Sequence, residues 1–249
     1  MPQQTPSTAV LFIRSALFWL GFALSTVFLS IFSIFTLPFP FRIRYWFISL
    51  WTYFNLWWLK VTCKLDCHVE GLENITVRNG IVFSKHQSTW ETLALKRWFN
   101  PESWVLKKEL LSVPFFGWTA RLMEPIALDR KAGRKAVDQL IEQGRDRLEQ
   151  GRWVMIFPEG TRIAAGKKGR YKIGGASLAK ATGYPVIPVA HNSGEYWPRR
   201  GFIKKPGIIE VRIGKPIEAT GKTAQEILQE AENWIEGRMK QISTLDIMY

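Results

Sequence analysis

His86 and Glu91 lie in the segment Lys85-His86-Gln87-Ser88-Thr89-Trp90-Glu91, directly after the short apolar run Ile81-Val82-Phe83-Ser84. The run reads as a strand, the polar residues as a turn, and Trp90 onward as the start of a helix. An imidazole on such a turn can project into a cleft. A carboxylate in the first helical turn can reach back to one ring nitrogen and leave the other free as a base. The same residues admit a plainer reading, because Ser88-x-x-Glu91 is also a capping box, in which the glutamate satisfies a backbone donor at the helix start. From this segment alone both readings stay open.

A second segment, Trp153-Val154-Met155-Ile156-Phe157-Pro158-Glu159-Gly160-Thr161-Arg162, reads as a buried strand that ends in a turn. Arg162 opens an acid-free basic stretch with Lys167, Lys168, Arg170 and Lys172. Guanidinium and ammonium groups beside exposed turn amides suit a phosphate, although a charge run is also what a solvated loop presents. Two apparent motifs fail on inspection. Gly160 to Lys168 lacks the spacing and the hydroxyl residue of a P-loop, and Gly175-Ala-Ser177-Leu-Ala179 resembles a nucleophile elbow but follows no strand. Cys63, Cys67 and His68 are three potential ligands where a closed zinc site needs about four, so they read as ordinary residues. Two cysteines give no disulfide framework.

The elements that must position these residues emerge from the apolar pattern. After residue 60, strands are expected at Lys64 to Glu70, Ile81 to Ser84, Trp104 to Leu106, Ile126 to Leu128, Val154 to Phe157, Val186 to Ala190 and Ile208 to Ile213. Helices are expected at about 131 to 150, 174 to 182 and 223 to 242, the last with Ile227, Ala231, Trp234, Ile235 and Ile242 at helical spacing. Strand-helix alternation argues for an α/β domain with its chemistry on the loops at the strand ends.

Residues 1–60 are different in kind. They hold four bases and no acid, leaving 30 bases against 21 acids in the remainder. Ser15 to Phe41 are 27 consecutive uncharged residues, which as a helix exceed the hydrocarbon core of about 30 Å. The run is about twice the length of a signal-peptide core and no small-residue cleavage site follows it, so an uncleaved anchor is expected. Prolines 38 and 40 end the helix, and a second segment from Tyr45 to Leu59 is crowded with Trp and flanked by Arg42, Arg44 and Lys60. That composition suits either the headgroup boundary or a helix of the soluble core. The basic excess places the larger part on the cytoplasmic side. A formal charge of +13 alone fits nucleic acid, but no reading module accompanies it, so no nucleic-acid partner is expected.

His86-x4-Glu91, Leu128-Asp129-Arg130, Phe157-Pro158-Glu159-Gly160-Thr161-Arg162 and Val186-Ile187-Pro188-Val189 occur in an order and at spacings that resemble the lysophosphatidate (1-acylglycerol-3-phosphate) acyltransferase family of bacterial type, over roughly residues 60 to 215. The F-P-E-G-T-R block is the most specific element. The resemblance implies a mixed sheet covered by helices, a glycerolipid acyltransferase-like α/β fold at 61–249, with a membrane-embedded two-helix element at 1–60. It implies transfer of an acyl group from acyl-CoA or acyl carrier protein to the free hydroxyl of lysophosphatidate, giving phosphatidate, at the cytoplasmic side of the inner membrane. His86 then corresponds to the general base and Glu91 to its orienting carboxylate, at a position where the family most often has aspartate. Arg130 and Arg162 correspond to the residues that bind the acceptor phosphate, with Lys107 as a further candidate and Glu159, Gly160 and Thr161 completing the block. No metal and no cofactor beyond the thioester co-substrate is implied. Two other functions fit the same residues: acyl transfer to another lysolipid or glycolipid precursor, or non-catalytic binding of anionic lipid.

Overall fold

The computed structural model of the chain describes residues 6–129 and 132–245. Two long helices open it, α1 (Thr8–Ser33) and α2 (Phe41–Cys63), joined by a short 3-10 turn and Pro38-Pro40. Then follow β1 (Leu65–Glu70), β2 (Ile81–Ser84), α3 (Trp90–Ala94), β3 (Glu102–Lys107), α4 (Phe116–Leu122), β4 (Ile126–Leu128), α5 (Arg134–Glu149), β5 (Trp153–Ile156), α6 (Gly174–Thr182), β6 (Val186–His191), α7 (Ser193–Tyr196), β7 (Gly207–Ile213) and α8 (Ala224–Ile242). The seven strands form one sheet in the order β1-β7-β6-β2-β5-β3-β4. All neighbours are parallel except β6 and β7, so the sheet is mixed, as the family resemblance implies.

Strand position explains the residue patterns. β2, β5 and β6 lie inside the sheet and are buried at every position, which is why they read as unbroken apolar runs. β7 alternates buried and partly buried residues, and edge strand β1 is mostly accessible. Ile81, Phe83, Val154 and Ile156 face one way and pack under α5, α6 and α8 through Leu140, Leu178, Ile227 and Ile235. Val82, Trp153, Met155, Ile187 and Val189 face the other way, toward Trp90, Leu56, Leu59 and Phe18. The N-terminal helices therefore close one face of the sheet.

The helix pair packs closely because Gly21 admits Trp58: a Cβ at residue 21 would stand 2.2 Å from the indole Nε1, which donates to the Leu17 carbonyl at 3.1 Å. Outward, Phe12, Leu17, Leu20, Leu24 and Phe28 on α1 and Trp46, Leu50, Tyr53, Trp57 and Val61 on α2 are exposed at helical spacing. Such a broad apolar surface marks a membrane or partner contact. The expected two-helix membrane element is thus two helices in form, but only the first, over Thr8–Thr36, is long and apolar enough to cross a membrane. α2 keeps Arg42, Arg44 and Lys60, and turns Tyr45, Ser49, Thr52, Asn55 and Thr62 inward, so it is in large part a helix of the protein core.

Candidate active site

β2, β5, β3 and β4 run parallel and side by side, so their carboxyl ends share one edge of the sheet, where α/β folds bind ligands. The β2 end delivers His86, the β5 end delivers Phe157 to Arg162, and Lys107 closes β3 in register with Leu128, the last residue of β4. The described ones among the expected residues are thereby drawn to one edge from three separate stretches of sequence. Arg130 lies outside the described residues.

The His86 Nδ1 stands 2.9 Å from Glu91 Oε1. A carboxylate only accepts, so in the neutral ring Nδ1 carries the proton and the Nε2 lone pair is left free. The side chain is 14% exposed, enough for Nε2 to meet a substrate at the surface. Phe157 stacks on the imidazole at 3.7 Å and 10°, and Trp104 stacks on Phe157 at 5.3 Å, so the ring plane is set from behind. Glu91 is fully buried and also accepts from the Gln87 amide at 2.9 Å, the Ser88 amide at 2.8 Å and the Ser193 hydroxyl at 3.0 Å. Burial by itself would raise its pKa; the bond from His86, the neighbouring His191 and the Ser88 amide outweigh that and hold it at about 2. The two readings of this segment are compatible: one carboxylate both closes the turn and orients the imidazole.

Beneath the turn lies a buried charged cluster. Lys85 is 2.9 Å from Glu159 and 2.7 Å from Glu236, and Tyr171 donates to Glu236 at 2.8 Å. Burial pushes the Glu159 carboxyl up to about 7, the Glu236 charge adding to the rise and the Lys85 ammonium opposing it. Lys85 is pushed up despite burial, by the two carboxylates. Glu159 thus faces inward. Its other oxygen accepts the His86 amide at 2.9 Å, while the Ile163 amide donates to the His86 carbonyl at 2.7 Å, so the Phe157–Arg162 loop brackets the histidine backbone.

The rest of the block faces outward. Gly160 has φ +69°, and a Cβ there would stand 2.9 Å from the Lys172 ammonium, so this glycine both makes the turn and admits the lysine across it. Thr161 and Lys107 are exposed and Arg162 is partly exposed; the Arg162 carbonyl accepts from Arg199 at 2.8 Å. The basic stretch is not uniform, for Lys168 pairs with Glu232 at 2.8 Å whereas Arg162 and Lys172 form no ion pair among the described residues. Uncommitted cations beside turn amides are what an anionic group needs.

Sequence reasoning missed Lys85, Glu236 and Ser193. Glu236 left a signal, since it adjoins Ile235 on the apolar stripe of α8, where a charge demands a buried partner. Ser193 left none. The cysteines play no part in this region: Cys63 ends α2 and Cys67 sits on edge strand β1. On that edge His68, Glu70 and Glu210 come together, but Arg212 already pairs with both carboxylates, at 3.1 and 2.9 Å.

Known proteins share this architecture. Residues 66–192 match the family model described as Acyltransferase. Over 238 residues the chain is 45% identical to the 1-acyl-sn-glycerol-3-phosphate acyltransferase of Pseudomonas aeruginosa, covering 94% of this chain and 93% of that one. The yeast enzyme of the same name, from Saccharomyces cerevisiae, is 34% identical over 179 residues, 70% of this chain and 59% of its own. The crystal structure of the 1-acyl-sn-glycerophosphate acyltransferase PlsC from Thermotoga maritima superposes with a TM-score of 0.77 at 25% identity, covering 92% of this chain and 94% of that one. With half of its length under the family model and near-complete alignment to the Pseudomonas enzyme, the chain belongs to the 1-acyl-sn-glycerol-3-phosphate acyltransferase family.

Proposed function

We propose that this enzyme acylates the free hydroxyl of lysophosphatidate to give phosphatidate, using acyl-CoA or acyl carrier protein as the thioester donor. The observation that carries the reading is the His86–Glu91 pair, Nδ1 bound at 2.9 Å and Nε2 free, on the same sheet edge as the Phe157–Arg162 block. A hydroxyl is a weak nucleophile near neutral pH, and a positioned histidine base contributes about 10²- to 10⁴-fold. His86 Nε2 takes the hydroxyl proton as the oxygen attacks the thioester carbonyl. The tetrahedral intermediate then collapses with cleavage of the C–S bond, and the thiolate leaves with the proton from the imidazolium. Glu91 holds the ring and stabilises its cationic form. Arg162, with Arg130 and Lys107, holds the acceptor phosphate. Gly160 and Thr161 shape the turn around it, and Glu159 fixes that turn from inside. The thioester is already activated, so the scheme uses no metal and no further cofactor.

Residues 1–60 serve in this reading as the membrane element and 61–249 as the catalytic domain, at the cytoplasmic side of the inner membrane. Acceptor and product both carry long chains that reside in the bilayer, and basic residues near the surface attract anionic headgroups by about 1 kcal/mol each. The test is purified enzyme in lipid vesicles with labelled donor and a panel of acceptors. Transfer is expected to lysophosphatidate, and His86→Ala is expected to lower kcat at least about a hundredfold with vesicle binding retained. Transfer only to another lysolipid or a glycolipid precursor would move the substrate assignment. Full activity of the alanine variant would remove His86 from the mechanism.

A further inference from the structure

The turn after β6 grips the His86 turn at three points. His191 Nε2 lies 2.8 Å from the Lys85 carbonyl, the Gly194 amide donates to Gln87 Oε1 at 3.2 Å, and the Ser193 hydroxyl donates to Glu91 Oε2 at 3.0 Å. The first two hold backbone and a neighbouring side chain. The third reaches the carboxylate that orients the base. Glu91 Oε1 is already occupied by His86 Nδ1 and the Gln87 and Ser88 amides, so the tilt of the carboxylate about its own axis is decided at Oε2, by the Ser193 hydroxyl together with a longer contact of 3.1 Å from the Ser88 amide. Ser193 is buried and 102 residues removed from Glu91 in sequence. A glutamate has one more rotatable bond than an aspartate, so its carboxylate needs a second fixed donor to hold one orientation.

From this arrangement we propose that Ser193 is a positioning residue for catalysis, acting on His86 only through Glu91 Oε2. The proposal rests on the reading of His86 as general base. Ser193 is fully buried and out of reach of a substrate at the surface, so its removal changes kcat rather than acceptor affinity.

The experiment is a double-mutant cycle on the full-length enzyme in vesicles, with Ser193→Ala, Glu91→Ala and the double variant. Ser193→Ala is expected to lower kcat about tenfold, the scale of one hydrogen bond to a charged group, with the acceptor KM within about twofold. In the Glu91→Ala background the same change is expected to lower kcat no further. Ser193→Cys, which keeps the volume but donates weakly, is expected to follow alanine, and Ser193→Thr to restore kcat within about threefold. An equal loss in both backgrounds, or a cysteine variant as active as the native enzyme, overturns the proposal while leaving the general-base reading intact. Undiminished activity of Glu91→Ala overturns the proposal and removes Glu91 from the mechanism, while His86→Ala tests the general-base reading itself.

Discussion

Of the three lysines withdrawn from water among the described residues, Lys85, Lys96 and Lys204, the first and the last have surroundings opposite in kind. Lys85, behind the His86 turn, meets the carboxylates of Glu159 and Glu236 at 2.9 and 2.7 Å. Lys204, at the junction between α1 and the sheet, is fully buried with its ammonium 3.6 Å from the Trp19 ring centroid and 4.8 Å from that of Trp197, and it donates to the Phe202 carbonyl at 2.7 Å. It has no carboxylate partner among the described residues. Burial opposes charge at both sites. At Lys85 the carboxylates prevail and the pKa rises; at Lys204 ring faces and one carbonyl do not compensate, and it falls to about 7. The His86 region is therefore built on a fixed charge that its loops need, whereas the junction tolerates a lysine in either protonation state.

The largest effect is expected at the first lysine. Lys85→Met leaves Glu159 and Glu236 buried without their cation, and removing one partner of a buried pair destabilises by about 3–5 kcal/mol. Denaturant unfolding in detergent measures it, and a change under about 1 kcal/mol, the scale of an exposed pair, would erase the contrast between the two sites. Arg162→Ala tests the outward side of the same region. Because the variant cannot make the charge-assisted hydrogen bond to the phosphate, the acceptor KM is expected to rise about tenfold and the donor KM to stay within about twofold, whereas equal rises would point to a folding defect. A third effect is expected at the junction. Because the folded-state pKa of Lys204 lies below its unfolded value of about 10.4, the unfolded chain holds more protons between pH 7 and 10, and stability climbs as pH rises through that interval. Melting temperatures of native protein and Lys204→Met at pH 7, 8 and 9 are expected to differ in slope, the variant being flatter. Parallel slopes would show that Lys204 stays charged like Lys85.

The strands were legible in the sequence because those inside a parallel sheet are apolar at successive positions, and every expected strand lies within about two residues of an observed one. The long apolar helix α1 was legible from its length without charge. α2 was not, because its exposed Trp46, Trp57 and Val61 and its inward Tyr45, Ser49 and Asn55 average to an ambiguous composition, and only packing assigns the sides. His86 and Glu91 could be named from spacing within one turn, where distance in sequence is distance in space. Ser193 and Glu236 reach the same turn from the far end of the chain, a coincidence created by strand order that no local pattern encodes.

The bracketing of His86 by Glu159 and Ile163 has a mechanical meaning. In the proposed mechanism, anion capture at Arg162 and proton abstraction at His86 belong to two loops tied together, with the histidine peptide held at both its amide and its carbonyl. A load placed on the guanidinium arrives at the imidazole with little slack between them. On the proposed mechanism, an alcohol that lacks the phosphate would forfeit alignment as well as grip, and would be refused at the chemical step even when it diffuses in.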